Sequence, residues 1–385
     1  MTIREVSSNR DREEFLRLPL RIYHNDPEWI RPLDKDVEEV FDPERNKFFR
    51  HGKCTRFLLE DEKGKVIGRI AAFINDRTAK KEEQPTGGCG FFECINDTKA
   101  STMLFNAAKQ WLADRGIEAM DGPINFGERD AWWGLLVEGF TGVPYKMNYN
   151  PPYYRSLFET YGFQPYFEQW CYSRKINTQL DDKFNQRHRQ IARDQGYRAV
   201  HLKKKQLFKF AEDFRIIYNK AWVKHGVGKA LEEKQVRMLF QKLKPVIDEL
   251  GVWYVYYHDQ PVAMWVNLPD INQLFKLFKG KFGWLEKLRF IWMLKTNKVT
   301  KLIGLVFGIV PEHQGKGVDS FMIVEGAKVL MEKTRYREYE MQWIGDFNPK
   351  MVRVAESLDT VKSRRLITYR YLFDRSKPFM RHPML

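Results

Sequence analysis

The feature that most constrains this chain is an internal repeat that keeps its order. Near the start the sequence reads Arg4, Val6 and then Arg21-Ile22-Tyr23; about 194 residues later it reads Arg198, Val200 and then Arg215-Ile216-Ile217-Tyr218. A hairpin pattern follows each time. Residues 56–60 turn at Lys63-Gly64 into 66–70, and residues 252–256 turn at His258-Asp259-Gln260 into 261–264. Tyr149-Asn150-Pro151 returns as Phe347-Asn348-Pro349, about 198 positions on, and each is followed by a helical stretch and a final strand, at 167–173 and 366–373. One matched pair means little, but constant order and offset imply a duplicated unit. Each copy reads β, helices, β-hairpin, β, α, β, α, β, which specifies an α/β chain built on a mixed sheet. A length of 385 residues suits two domains. Their expected bounds are 1–180 and 190–385, with the join across 175–196.

The second copy carries the stretch with the clearest chemistry. Residues 306–310 (Val-Phe-Gly-Ile-Val) read as a buried strand that stops at Pro311. Gln314-Gly315-Lys316-Gly317 then turns into an apolar helix from Ser320 to about Lys333. Glycines let backbone approach a ligand, because no Cβ intervenes. A helix N-terminus beyond them aims free N–H groups and a positive dipole end at an anion. The order strand, glycine turn, helix therefore makes a pyrophosphate cradle. Its spacing is neither the dinucleotide fingerprint nor the phosphate loop ending in Gly-Lys-Ser/Thr. Asp319, at the helix start, reads as an N-cap.

This stretch resembles the acyl-CoA-binding motif of the GCN5-related N-acetyltransferase (GNAT) superfamily, Gln/Arg-x-x-Gly-x-Gly/Ala, carried by Gln314, Gly317 and position 319. The resemblance spans nearly the whole chain and implies two tandem GNAT-like (acyl-CoA N-acyltransferase) domains, of a kind found in uncharacterised bacterial proteins. It implies acetyl-CoA or another acyl-CoA as co-substrate, no metal, and binding through Ile309, Val310, Gln314, Gly315, Lys316, Gly317, Val318 and Asn348. A backbone N–H near Ile309 or Val310 would face the oxyanion formed when an amine attacks the thioester. Tyr369, Asp346 and Glu340 are the candidate catalytic groups, with Tyr371 beside them; His313 is expected to face solvent. The equivalent stretch of the first copy, Glu93-Cys94-Ile95-Asn96-Asp97-Thr98-Lys99, has no glycine and adds negative charge. It is expected not to bind CoA. That copy keeps Tyr153-Tyr154 and Tyr161-Gly162-Phe163, similar to the superfamily's closing Tyr-x-x-x-Gly-Phe region. The second copy has Glu356 to Thr360 there, without a tyrosine.

Two inserts break the symmetry. Residues 121–140 bring Asn125, Glu128, Asp130, Trp132 and Trp133 together. With Tyr153 they make a candidate pocket for an amine or other polar acceptor; a packed loop covering the sheet edge is the other reading. Residues 274–295 mix Phe, Leu and Trp with lysines at roughly helical spacing. Such a segment either covers the core with its lysine stems turned outward or meets lipid or an acyl chain.

A net charge of +15 favours anionic partners. Nine basic residues stand against one acidic between Lys183 and Lys209, and eight against one between Lys276 and Lys301. CoA, anionic lipid and tRNA all satisfy that balance. Three classes of function therefore stay open: a CoA-dependent N-acyltransferase, a tandem-GNAT transferase fed by aminoacyl-tRNA, and a ligand-binding protein without chemistry. No apolar run reaches 18 residues and the first nine residues are polar, so the expected setting is cytoplasmic. Cys54, Cys89, Cys94 and Cys171 form no C-x-x-C pair and read as free thiols.

Overall fold

The computed structural model describes residues 1–81, 84–222, 230–296 and 298–384. The first half opens with β1 (Thr2–Glu5) and α1 (Asn9–Ile22). Ser8 and Asp11 form a reciprocal capping box that satisfies two otherwise free donors at the α1 start. Next come α2 (Asp34–Val40), the hairpin β2 (Gly52–Glu60) and β3 (Val66–Asn75), β4 (Thr86–Cys94), α3 (Thr98–Ala113) and β5 (Ala119–Gly122). The half ends with β6 (Leu135–Glu138), α4 (Tyr154–Tyr161) and β7 (Gln164–Lys175).

Helix α5 (Asp182–Ile191) leads to the second half. There β8 (Tyr197–His201), α6 (Leu207–Ala221) and α7 (Glu233–Leu243) precede the hairpin β9 (Val252–Tyr257) and β10 (Gln260–Pro269). The inserted α8 (Asn272–Phe275) and α9 (Trp284–Lys295) follow, and then β11 (Lys301–Ile309), α10 (Val318–Lys333), β12 (Glu338–Gly345), α11 (Pro349–Ser357) and β13 (Val361–Leu372). No described helix is long and apolar enough to cross a membrane. The four cysteines are free, and three of them are buried.

All strands join one mixed sheet in the order β1-β2-β3-β4-β5-β13-β7-β12-β11-β10-β9-β8, with β6 on β13. The closing strands have changed places. β13, last of the second half, pairs with β5 of the first, while β7 pairs with β12. Tyr369 and Tyr371 consequently belong to the first-half core, with Phe105 and Phe158, and Tyr172 belongs to the second-half core. Each half also contains one short parallel pair whose strands then part. For β4 and β5 the pairing runs from Thr86↔Ala119 to Gly88↔Asp121. For β11 and β12 it runs from Lys301↔Glu338 to Gly304↔Met341. The gap beyond such a pair, at the carboxyl ends of the strands, is where open α/β sheets take their ligands.

Candidate functional site

The second-half gap has Ile309 and Val310 on one side and Asp346 and Asn348 on the other, just past the ends of β11 and β12. The chain leaves β11 through a single 3-10 turn at Pro311–His313. Gln314 folds back, and its Nε2 donates to the Ile309 carbonyl at 2.9 Å. Gly315 and Gly317 both adopt positive φ, +74° and +90°, a region that strains most side chains. Gly317, not Asp319, is the N-cap of α10, and no side chain caps it. The expected aspartate cap is thus corrected: the left-handed turn at Gly317 starts the helix two residues earlier and leaves Asp319 in its first turn. The leading N–H groups of a 16-residue helix remain available to an anion.

The remaining cradle residues are also in place. Lys316 is exposed and Val318 is buried. Ser320 is fully buried, and its Oγ has no hydrogen-bond partner. Helix α5 packs across the cradle, so that a Cβ on Gly317 would lie 3.5 Å from Arg187 Cβ. Arg187 is exposed and adds a cation beside the helix start. His313 is half-buried instead of facing solvent, with Nδ1 2.8 Å from the Tyr197 hydroxyl; burial, then nearby Lys316, holds its pKa down.

The structure does not gather Tyr369, Asp346 and Glu340. The Tyr369 hydroxyl is 2.9 Å from Glu159 in the first half, because its strand has crossed over. Burial, followed by Glu159, raises its pKa. Glu340 lies on the still-paired part of β12, 1 % exposed, between Lys301 and Arg364. Burial alone would raise its pKa, but the two cations outweigh it and hold the carboxyl below its usual range. Such a group neutralises buried cations and is poorly suited to accept a proton. Asp346, just past the end of β12, turns to the β7 side, accepting from the Glu168 N–H at 3.1 Å and paired with Arg381 at 2.6 Å. Asn348 caps α11 through the Met351 N–H at 3.2 Å.

One residue that sequence reasoning missed comes from the exchanged strand. Tyr172 of β7 is in register with Met341, which is also the last β12 residue paired with β11 before the gap opens. The ring is 1 % exposed and its hydroxyl has no partner. Burial, then Glu356 of α11, raises its pKa. No local pattern marks Tyr172, since its place depends on a strand from the other half. Arg187 did carry a signal, in the basic run from Lys183.

The first-half gap is built differently. Asp97 caps α3, its carboxylate accepting from the Ala100 N–H at 2.8 Å. Glu93 is buried and accepts from the Tyr23 and Tyr154 hydroxyls at 2.9 and 2.7 Å, with Arg69 at 3.3 Å. Burial raises its pKa despite Arg69. Glu93, Arg69 and Tyr154 border a cavity of about 80 Å³, room for a few waters. The expected acceptor set does not meet in one pocket. Trp132 packs on Phe91 at this cavity, and the Tyr153 hydroxyl donates to the Cys94 carbonyl. Asn125 is buried, with its Oδ1 unpartnered. Asp130 is exposed. Trp133 points elsewhere: its carbonyl meets Gln169 of β7 and Arg129 covers its ring. The same loop reaches the second half, where Glu128 helps raise the pKa of the half-buried Tyr218 of α6, after burial. Tyr218 stacks on Trp222, which covers Gly308 of β11.

The fold, with its two strand gaps, is that of tandem GNAT structures. A tandem GNAT protein from the clavulanic acid biosynthesis pathway matches with a TM-score of 0.54, covering 98 % of this chain and 99 % of that one at 12 % identity. A GCN5-related glucosamine N-acetyltransferase region of a fungal multi-domain GH3 β-N-acetylglucosaminidase also gives 0.54, at 10 % identity, covering 96 % of this chain and 38 % of that one. No protein-family model matches. By sequence the chain is similar to the bacterial ceramide synthase of Caulobacter vibrioides, 27 % identical over 367 residues, 93 % of this chain and 94 % of that protein. It is also similar to protein YghO of Escherichia coli, 24 % identical over 381 residues, 95 % of this chain and 94 % of that protein.

Proposed function

We propose that this protein is an N-acyltransferase that binds an acyl-CoA in its second half and passes the acyl group to the amine of a long-chain acceptor. The observation that carries the proposal is the uncapped N-terminus of α10 behind Gly315 and Gly317, beside a strand gap. The acceptor class is suggested by the similarity to a ceramide synthase, since a ceramide is the fatty amide of a long-chain amino alcohol.

The pyrophosphate lies against the first turn of α10, with Lys316 and Arg187 as cations and the Ser320 hydroxyl as a further donor. The thioester enters the gap, and a backbone N–H near Val310 meets its carbonyl oxygen. The neutral amine attacks the carbonyl carbon, and charge collects on that oxygen, where a fixed donor counts most. The C–S bond then breaks as the amide forms. Tyr172 donates its proton to the departing thiolate, its raised pKa keeping the hydroxyl protonated until then. Asp346, just past the end of β12, takes the amine proton through water. The face carrying Tyr218 and Trp222, with Glu128 supplied by the first half, receives the acceptor.

The test is calorimetry and mass spectrometry on the full chain, with acetyl-CoA and palmitoyl-CoA as donors and a long-chain amino alcohol as acceptor. The expected result is saturable thioester binding and an amide product, both lost in Gly317→Val. Tyr172→Phe should keep binding while slowing turnover. A wild type that binds neither thioester, or binds aminoacyl-tRNA instead, overturns the reading.

A further inference from the structure

We propose that the α8–α9 insert is a membrane-docking surface that seats the protein on an anionic phospholipid bilayer. Helix α9 has two apolar faces. Phe290 and Met293 are buried against Phe275 and Phe278. On the other side Trp284, Leu288 and Trp292 are 70 %, 60 % and 59 % exposed, with Leu285 and Ile291 exposed beside them. At 100° per residue these five side chains fall within an arc of about 120°. Soluble surfaces scatter large apolar groups singly; a contiguous stripe with two tryptophans marks a contact face.

The charges identify what that face meets. Exposed Lys287 and Arg289 border the stripe on its two sides, and exposed Lys295 ends it. Lys279, Lys281 and Arg289 also line an open cavity of about 320 Å³ beside Leu277 and Leu285. The one carboxylate lining it, Glu286, is engaged by its own helix start, accepting from the Gly283 N–H at 2.7 Å. An apolar stripe between cations, next to a basic hollow of headgroup size, is complementary to a phosphate-covered hydrocarbon layer. A protein groove would not require cations along both borders.

The surface is rigid. Phe275 stacks on Phe290 with centroids 5.3 Å apart. The first half ties the insert down: Asp34 N–H donates to the Gly280 carbonyl at 3.0 Å, and Asn272 Nδ2 to the Val143 carbonyl at 2.7 Å. Exposure of the stripe is therefore part of the packed fold. The inference does not depend on acyl transfer, and its test reads binding alone.

The full chain is sedimented with vesicles of phosphatidylcholine alone and of phosphatidylcholine with phosphatidylglycerol. Binding is expected only with the anionic lipid, and should weaken as salt is raised. Trp284→Ala/Leu288→Ala/Trp292→Ala should reduce it by about tenfold or more. Lys279→Ala/Lys281→Ala/Arg289→Ala, which alters only exposed positions, should reduce it by at least about tenfold. Equal binding by the wild type and both variants, or none by the wild type, overturns the proposal. So does a lipid-free dimer in sedimentation velocity that the first variant dissociates, because a second copy would then cover the face.

Discussion

Helices α3 and α10 occupy the same place in the two halves, and each is 16 residues long. Yet α3 is closed by its own Asp97, while α10 begins at a left-handed glycine with no side-chain cap. A helix start can satisfy its donors from within or leave them for a ligand. The first half has taken the former course and the second the latter. Their buried carboxylates differ too. Glu93 sits among tyrosines with its pKa raised by burial, whereas Glu340 is held below its usual value because Arg364 and Lys301 outweigh burial. The two halves have similar gaps, and a few side chains separate them: one helix start is capped from within, the other is left open.

The largest expected effect comes from the carboxylates. Glu340→Gln leaves two buried cations without their partner and should cost about 3–5 kcal/mol near neutral pH. Since its folded pKa is depressed, that stabilisation is present above the unfolded value and disappears as pH falls through the folded one. Glu93→Gln should behave oppositely. A raised folded pKa makes ionisation a growing penalty as pH rises above the unfolded value, so the variant should gain relative stability toward alkaline pH. Denaturant melts of both variants across pH check the pair; parallel profiles would erase the distinction between the two environments.

Gly317→Val should weaken CoA binding by about a hundredfold or more, roughly 3 kcal/mol, because a branched side chain would press on Arg187 and Ile191 of α5 and disturb the left-handed turn that opens the helix start. Calorimetry reads the affinity, and a thermal melt without CoA separates it from the cost of positive φ. Arg187→Ala should lower the same affinity by about tenfold, with no loss of stability. Asp97→Ala should cost about 1 kcal/mol of stability and leave CoA affinity unchanged; a changed affinity would place the ligand in the wrong half. The smallest expected effect belongs to Asp319→Asn. Removing this charge from the first turn of α10 should strengthen CoA binding by no more than about fivefold.

Much of this contrast was legible before folding. The hairpin patterns at 56–70 and 252–264 lie within β2–β3 and β9–β10, and the apolar run after Gly317 is α10. The missing glycines between Glu93 and Lys99 already set the first cradle apart. Asp319 misled, because acidic residues are favoured both as caps and within a first turn, and only the φ of Gly317 separates those cases. Tyr369 misled for a different reason: it stands in the second half of the sequence and in the first half of the core.

Alternation, turn residues and helix period are local properties, so the chain's own pattern specified the elements, their repetition and the glycine turn at 315–317. Which strand lies beside which is decided by long-range burial. Nothing within residues 164–175 or 361–372 states that β7 completes the far half and β13 the near one. That exchange sets Tyr172 beside Met341 of β12 and carries Tyr369 into the first-half core. Packing also chose which apolar face of α9 is buried, since Phe290 and Met293 found an aromatic cluster and Trp284 and Trp292 did not.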